Sequence, residues 1–215
     1  MPSTHRVDAM NADQLSAAPL RLVRTRAEAG DAAAQTELAR RLARRKKQDE
    51  ALNWFRSAAR GGDPERQMEL GVVLFWDHDA HREGLKWIRR AAEQGHIGAQ
   101  YFLGAELATG ENVRKNLREA ARWYRRAAKQ NHGEAQYNLA MMYWAGEGLP
   151  RSASAARRWL ERAARLDDLL ALRALAEAYE SGQFGYRKND VRARHWRGRY
   201  DRANKAALTG ASRGH

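Results

Sequence analysis

The chain of 215 residues has no cysteine, which excludes a disulfide framework and any cysteine-ligated zinc or iron-sulfur centre, and fits a reducing compartment. Proline occurs only 4 times and glycine 17 times, too few for a collagen-like, linker-rich or low-complexity chain. No apolar run approaches the roughly 20 residues of a membrane span, and the opening MPSTHRVDAMNADQL lacks the continuous apolar core of a signal peptide. A soluble, cytoplasmic chain is expected, long enough for one ordinary domain or one short repeat array. Lysine is scarce too: 7 copies stand beside 32 arginines, and against 26 acidic side chains the formal net charge is +13. That excess raises the question of an anionic partner. The same arginine bias beside 41 alanines equally fits the composition of a GC-rich genome.

What the sequence has in quantity is repetition. Trp54, Trp87, Trp123, Trp159 and Trp196 are separated by 33, 36, 36 and 37 residues. A small residue precedes each by three (Ala51, Gly84, Ala120, Ala156, Ala193), and an alanine pair follows the first four (Ala58-Ala59, Ala91-Ala92, Ala127-Ala128, Ala163-Ala164). On a helix these offsets share one face, setting an indole among small side chains. Upstream of each tryptophan stands a second motif: Gln35…Leu38-Ala39, Gln67…Leu70-Gly71, Gln100…Leu103-Gly104, Gln136…Leu139-Ala140 and Leu172…Leu175-Ala176. Each unit is thus read as a helix A with the Gln-x-x-Leu-small motif, a turn, and a helix B with the tryptophan. Helix A is predicted over 33–43, 64–76, 97–109, 134–145 and 169–181, and helix B over 49–60, 81–93, 117–130, 153–165 and 190–204. Gly62, Gly95 and Asn131 are the expected helix stops, since they tolerate the left-handed conformation past a C-terminus. Residues 19–29 align with helix B, Leu22 taking the tryptophan place, and are predicted to form a capping helix.

The stretches Ala99-Gln100-Tyr-Phe-Leu103-Gly104…Gly110…Ala120-Ala-Arg-Trp123-Tyr124-Arg-Arg-Ala127-Ala128 and Ala135-Gln136-Tyr137-Asn-Leu139-Ala140…Tyr143…Gly146-Glu-Gly148…Trp159…Ala163-Ala164 resemble the Sel1-like repeat family, relatives of the tetratricopeptide repeats. The resemblance covers about residues 20–204, and the last unit departs from it with Tyr200-Asp201 in place of the alanine pair. It implies an all-α, right-handed α/α solenoid of about five helix-turn-helix repeats and a protein-binding scaffold whose A helices line a concave face. The expected organisation is a flexible arm over 1–18, the solenoid with its capping helix over 19–208 and a disordered tail over 209–215.

With Gln136, Leu139, Ala140 and Tyr143 turned to the partner helix, Tyr137, Met141 and Trp144 form a separate stripe at i, i+4, i+7. By analogy with tetratricopeptide repeats this is the concave stripe, and the same positions give Met68, Val72 and Phe75 in the second unit and Tyr101, Ala105 and Ala108 in the third. The flanking units read Thr36, Arg40 and Ala43 at one end and Arg173, Glu177 and Glu180 at the other, so the groove is expected to be charged at both ends. A protein or peptide partner would seat an apolar anchor at the dent over Ala105 and Ala108. The competing reading is that curvature buries these side chains against the neighbouring A helix. Trp76 fits either groove or turn.

Helix B offers a second surface. Lys86/Arg90, Arg122/Arg126, Arg158/Arg162 and His195/Arg199 are i, i+4 pairs flanking Trp87, Trp123, Trp159 and Trp196, a basic ladder on the convex side. Residues 186–215 add nine basic and two acidic side chains interleaved with Tyr186, Trp196 and Tyr200. Such interleaving suits nucleic acid or another polyanion, while a solvated face and a polar terminal cap explain it as well.

Catalytic signals are weak, so no enzyme activity and no cofactor are expected. Trp76-Asp77-His78-Asp79-Ala80-His81 has a metal-like composition, but Asp79 sits where a helix N-cap belongs and no distant ligand is identifiable. His96 and His132 share one repeat position, which points to a structural role. Gly146-Glu147-Gly148 lacks the Gly and Lys of a phosphate loop and falls at a turn the repeat requires.

Overall fold

The computed structural model describes residues 10–77 and 80–211. These are all-helical apart from turns, with no strand among the described residues. They divide into two compact units, parted between His96 and Ile97.

The first unit comprises α1 (Ala12–Ala17), α2 (Leu20–Glu28), α3 (Ala32–Arg44), α4 (Gln48–Arg60), α5 (Pro64–Phe75) and α6 (His81–Glu93). The second comprises α7 (Ile97–Thr109), α8 (Leu117–Lys129), α9 (Gly133–Ala145), α10 (Ala153–Arg165), α11 (Leu169–Ser181) and α12 (Asp190–Ala211). Each A helix packs on its own B helix (α3 on α4, α5 on α6, α7 on α8, α9 on α10, α11 on α12), and α4, α8 and α10 each pack on the A helix that follows. That nearest-neighbour stacking is the solenoid principle.

The small residues beside the leucines and tryptophans exist for close approach. A Cβ on Gly84 would lie 2.5 Å from the Phe75 nitrogen and 2.6 Å from the Gly71 carbonyl oxygen, so α5 and α6 touch backbone to backbone at this glycine pair. In the second unit Gly104 receives the Tyr124 ring, 2.6 Å from where its Cβ would stand. Stops at Gly30, Gly62, Gly95 and Asn131 all carry the positive φ that ends a helix, as do Asp167 at the junction of α10 and α11 and Lys46 in the turn from α3 to α4. New A helices are started by side-chain caps from Asp31, Asp63, His132 and Asp168.

The motif glutamines are buried hydrogen-bonding clips. Gln35 donates to the Ala27 carbonyl (3.1 Å) and Gln136 to the Ala128 carbonyl (2.9 Å), fastening an A helix to the end of the preceding B helix. Gln67 accepts from Gln94 (2.7 Å) and Gln100 from Gln130 (2.9 Å), each donor being the C-cap residue of the B helix in the same repeat. At the equivalent place after α10 stands Leu166, and the buried Gln136 Oε1 has no hydrogen-bond partner among the described residues.

Several expectations need correction. The arm expected to be flexible over 1–18 contains α1, whose Leu15 is buried in the core formed with Val23, Ala34 and Leu38. Arg41 holds the end of α1 by donating to the carbonyls of Leu15, Ser16 and Ala18, with Glu37 as its ion-pair partner. Residues 1–9 lie outside the described residues. Thr209, where a disordered tail was expected to begin, lies within α12, which continues to Ala211; residues 212–215 are outside the described residues. In α2 Val23 is buried and Leu22 is 43% exposed, the pattern of the later B helices, where Phe55, Ile88 and Leu160 are buried and Trp54, Trp87 and Trp159 before them are half-buried, so Leu22 does take the tryptophan place. Helix α6 begins at His81 with Ala80 as its cap residue, and the cap expected at Asp79, like His78, falls outside the described residues.

Candidate functional site

Of the expected groove residues, those on α5 belong to the first unit. Met68 and Val72 are half-buried, but Phe75 is buried, its ring 4.0 Å from that of His81 by centroids. Phe75 is therefore removed from the candidate surface: the turn after α5 folds back and lays His81 across it. Trp76 resolves to the turn side, as the C-cap residue of α5 and 72% exposed. Thr36 is buried with its hydroxyl donating to the Ala32 carbonyl, and Arg40 is engaged by Glu69.

The second unit carries the rest of the stripe. Tyr101, Ala105 and Ala108 on α7 and Tyr137, Met141 and Trp144 on α9 are all half-buried. Tyr137, Met141 and Trp144 pack on the core cluster that includes Leu172, Leu175 and Tyr179 of α11, so one side of each ring or chain is internal. Trp144 is held further by the Phe184 ring (4.7 Å between centroids) and by the Arg151 guanidinium 5.1 Å over its own ring. Phe184 occupies the 3-10 turn Gln183–Gly185 with φ of 55°, a position that sequence periodicity did not single out because the turn interrupts the helical spacing. Arg173 and Glu177, one turn apart on α11, are exposed and lie 3.8 Å from each other.

Polar groups line the same face. The Tyr101 ring stacks on His132 at 4.5 Å, while burial and the neighbouring Glu134 carboxylate hold its hydroxyl well above the usual phenol range. Tyr124, which shares Asn138 with Tyr101, is pushed up to about 12 by burial. Burial likewise raises Tyr137. All three phenols stay neutral near pH 7 and act as hydrogen-bonding groups. His132 caps α9 by accepting from the Ala135 nitrogen, and His96 bonds Glu65 at 2.9 Å, both roles structural as expected. No cluster of three or more metal-ligating side chains occurs among the described residues.

On the B helices, the basic ladder is exposed at Lys86, Arg90, Arg122, Arg126, Arg158 and Arg162, and half-buried at Arg199. One half of each pair has a second task. The guanidinium of Arg90 lies 4.7 Å over Trp87, Arg126 4.6 Å over Trp123, Arg162 4.9 Å over Trp159 and Arg199 5.2 Å over Trp196. This i, i+3 cation–π lid closes the solvent side of each indole. Arg199 is also ion-paired with Asp167.

The chain resembles known proteins in the same terms. A solved Sel1 repeat protein from Oxalobacter formigenes is 30% identical, with a TM-score of 0.69 over 84% of this chain and 75% of that one. A protective antigen of uropathogenic Escherichia coli with an SLR fold is 27% identical, with a TM-score of 0.78 over 86% of this chain and 41% of the other. An F-box protein of Arabidopsis thaliana is 35% identical over 71 residues, a third of this chain, and the match spans only 20% of that protein's length. No helix among the described residues is long and apolar enough to cross a membrane. The Sel1 repeat pattern matches residues 32–63, 77–96, 97–132, 133–168 and 169–196, and the chain belongs to the Sel1 repeat family.

Proposed function

We propose that this chain is a non-enzymatic adaptor that binds a protein or peptide on the A-helix face of its second unit. Sel1 repeat proteins are in general protein–protein interaction scaffolds. The observation that carries the reading is the row of half-exposed side chains Tyr101, Tyr137, Met141 and Trp144, set on helices nearly free of charge: α7 and α9 hold one acidic residue each and no basic one. Rigid aromatic side chains already ordered by core contacts lose little entropy on binding and form the usual anchors of interfaces. The small Ala105 and Ala108 beside them leave space for a side chain of the partner, and Arg173 and Glu177 offer polar contacts at the rim.

The test is selection from a random peptide library on the whole chain, followed by affinity measurement on two variants. Ala105→Arg fills the dent and Tyr137→Ala removes an anchor; neither touches the Trp144–Phe184 stack. Selected peptides should carry apolar anchors and bind each variant at least about tenfold more weakly, consistent with loss of a hot-spot contact of about 2 kcal/mol. Peptides that bind wild type and both variants equally would exclude this face.

A further inference from the structure

The excess charge of the second unit is sorted by helix type. Among its B helices, α8 carries five basic side chains against one acidic, α10 four against one and α12 six against two. Its A helices α7 and α9 have one acidic residue each and no basic one, and α11 has one basic against two acidic. A bias of genome composition would raise arginine on both helix types alike. Here one face is basic and the other faintly acidic.

Along α8, Arg118, Arg122, Arg126 and Lys129 follow one another at i, i+4, i+8 and i+11, covering about 16 Å of helix rise. Along α10, Arg158, Arg162 and Arg165 do the same at i, i+4 and i+7, and all seven side chains are exposed. None of the seven has a carboxylate at ion-pairing distance among the described residues, although Glu119 and Glu161 lie on the same two helices. Glu161 accepts instead from the Tyr186 hydroxyl, and Glu119 from the Trp123 indole and from the side-chain amide of Asn116, the N-cap of α8. The two rows meet at a cleft of about 460 Å³ where Lys129, Arg162 and Arg165 converge beside Asn131 and Leu166, with no acidic side chain in the lining.

We infer that the B-helix face of the second unit binds double-stranded nucleic acid through its phosphates, with the Lys129–Arg162–Arg165 cleft as the focus. The chemistry selects this partner over others. Each i, i+4 step sets successive cations about 6 Å apart along the helix, a spacing comparable to that of neighbouring phosphates on a strand. Uncompensated cations in rows fit the densest regular polyanion, a duplex with one charge per about 1.7 Å. Aromatic anchors for a protein partner are closed off: Trp123 is 6% exposed, and guanidinium groups lie over Trp123 and Trp159. The same lids deny unpaired bases a stacking platform, so a single strand gains nothing over a duplex. Contact is to the backbone alone and independent of sequence. This surface is separate from the A-helix face proposed above for peptides.

The experiment is fluorescence anisotropy of the full chain with a labelled mixed-sequence duplex of about 20 base pairs, titrated at several salt concentrations, spanning the longest row of cations several times over. The decisive variant is Arg122→Glu/Arg158→Glu/Arg165→Glu, which spares the arginines covering tryptophan; Arg→Gln at the same three positions serves if the reversal lowers the helical signal. Binding by the wild type should weaken steeply with salt, and the triple variant should lose at least about tenfold at low salt and flatten the log–log salt slope by about 3, roughly 0.9 per phosphate contact. Tyr137→Ala should bind the duplex as wild type does, which separates this inference from the peptide reading. Four results overturn it: no duplex binding below about millimolar concentration at low salt, equal binding by wild type and both triple variants, competition by polyglutamate as effective as by duplex, or a single strand binding about tenfold more tightly than the duplex.

Discussion

Leu166→Gln should make this protein more stable, and the structure says by how much. Gln94, Gln130 and Leu166 are the C-cap residues of α6, α8 and α10, with nearly the same backbone angles (φ −79°, −93° and −87°; ψ 0°, 19° and 11°). The first two donate to Gln67 and Gln100, and the second pair is separated by 30 residues, the separation of Gln136 from Leu166. The Gln136 oxygen has no partner among the described residues although the residue is 1% exposed, whereas Leu166 is 46% exposed. A buried acceptor left unsatisfied costs about 1–3 kcal/mol, and a formed hydrogen bond is worth about 1 kcal/mol net. Leu166 forfeits little burial on replacement. The expected gain is about 1–2 kcal/mol, or a rise in Tm of roughly 2–8 °C for a chain of this size. Thermal and urea denaturation of Leu166→Gln and the reciprocal Gln130→Leu, with Leu166→Glu as a control for removing an exposed leucine, provide the measurement. Gln130→Leu should lose at least as much as Leu166→Gln gains. A Leu166→Gln variant no more stable than wild type, or one matched by Leu166→Glu, would refute the reasoning.

Two further outcomes follow from the packing and the caps. Gly84→Ala should destabilise by about 1–3 kcal/mol in denaturant melts, because the new methyl meets the α5 backbone, although helix propensity alone favours alanine here by about 1 kcal/mol; a stabilised variant would mean that α5 and α6 part without cost. Asp31 caps α3 and bonds Arg26, and although burial alone would raise it, the backbone bonds from Ala34 and Ala33 together with Arg26 lower its carboxyl below the ordinary value. Its contribution is therefore fully present above the unfolded-state carboxylate pKa and is lost as pH falls through the lowered folded value. Wild type should exceed Asp31→Asn in stability at pH 7, and the two should converge at strongly acid pH; a difference independent of pH would refute the ionic part of the cap.

Much of the helical frame was legible because its markers are local and recur. Tryptophan, the small residue three before it and the left-handed stops at Gly62, Gly95 and Asn131 mark each B helix, and the observed helices start and end within a residue or two of expectation except at the two ends of the chain. Those ends are also where neighbours run out. Arg41 reaches back some 25 residues to carbonyl oxygens of α1, and an arginine that bonds backbone leaves no pattern in side-chain chemistry. Phe75 has the right spacing for the stripe, but helical spacing says nothing of the turn that follows and folds His81 over it. For the A-helix stripe of the second unit, periodicity identified the residues and left open whether they are core or surface. Tyr137 and Trp144 prove to be both, with one side of the ring on α11 or Phe184 and the other toward solvent.

The guanidinium lids over the indoles bear on how this protein can change over time. At Arg90, Arg126, Arg162 and Arg199 a flat, delocalised cation lies on a flat ring, a fit that the compact ammonium of lysine does not reproduce. Exchange of arginine for lysine, ordinarily the mildest of surface replacements, is at these four places a change to the shielding of the hydrophobic interior. Genetic drift toward lysine would therefore be resisted there and tolerated at neighbours such as Arg122 and Arg158, which lie over no ring among the described residues. Two arginines four residues apart on one helix, equal in charge and exposure, are in this way held by different selective pressures.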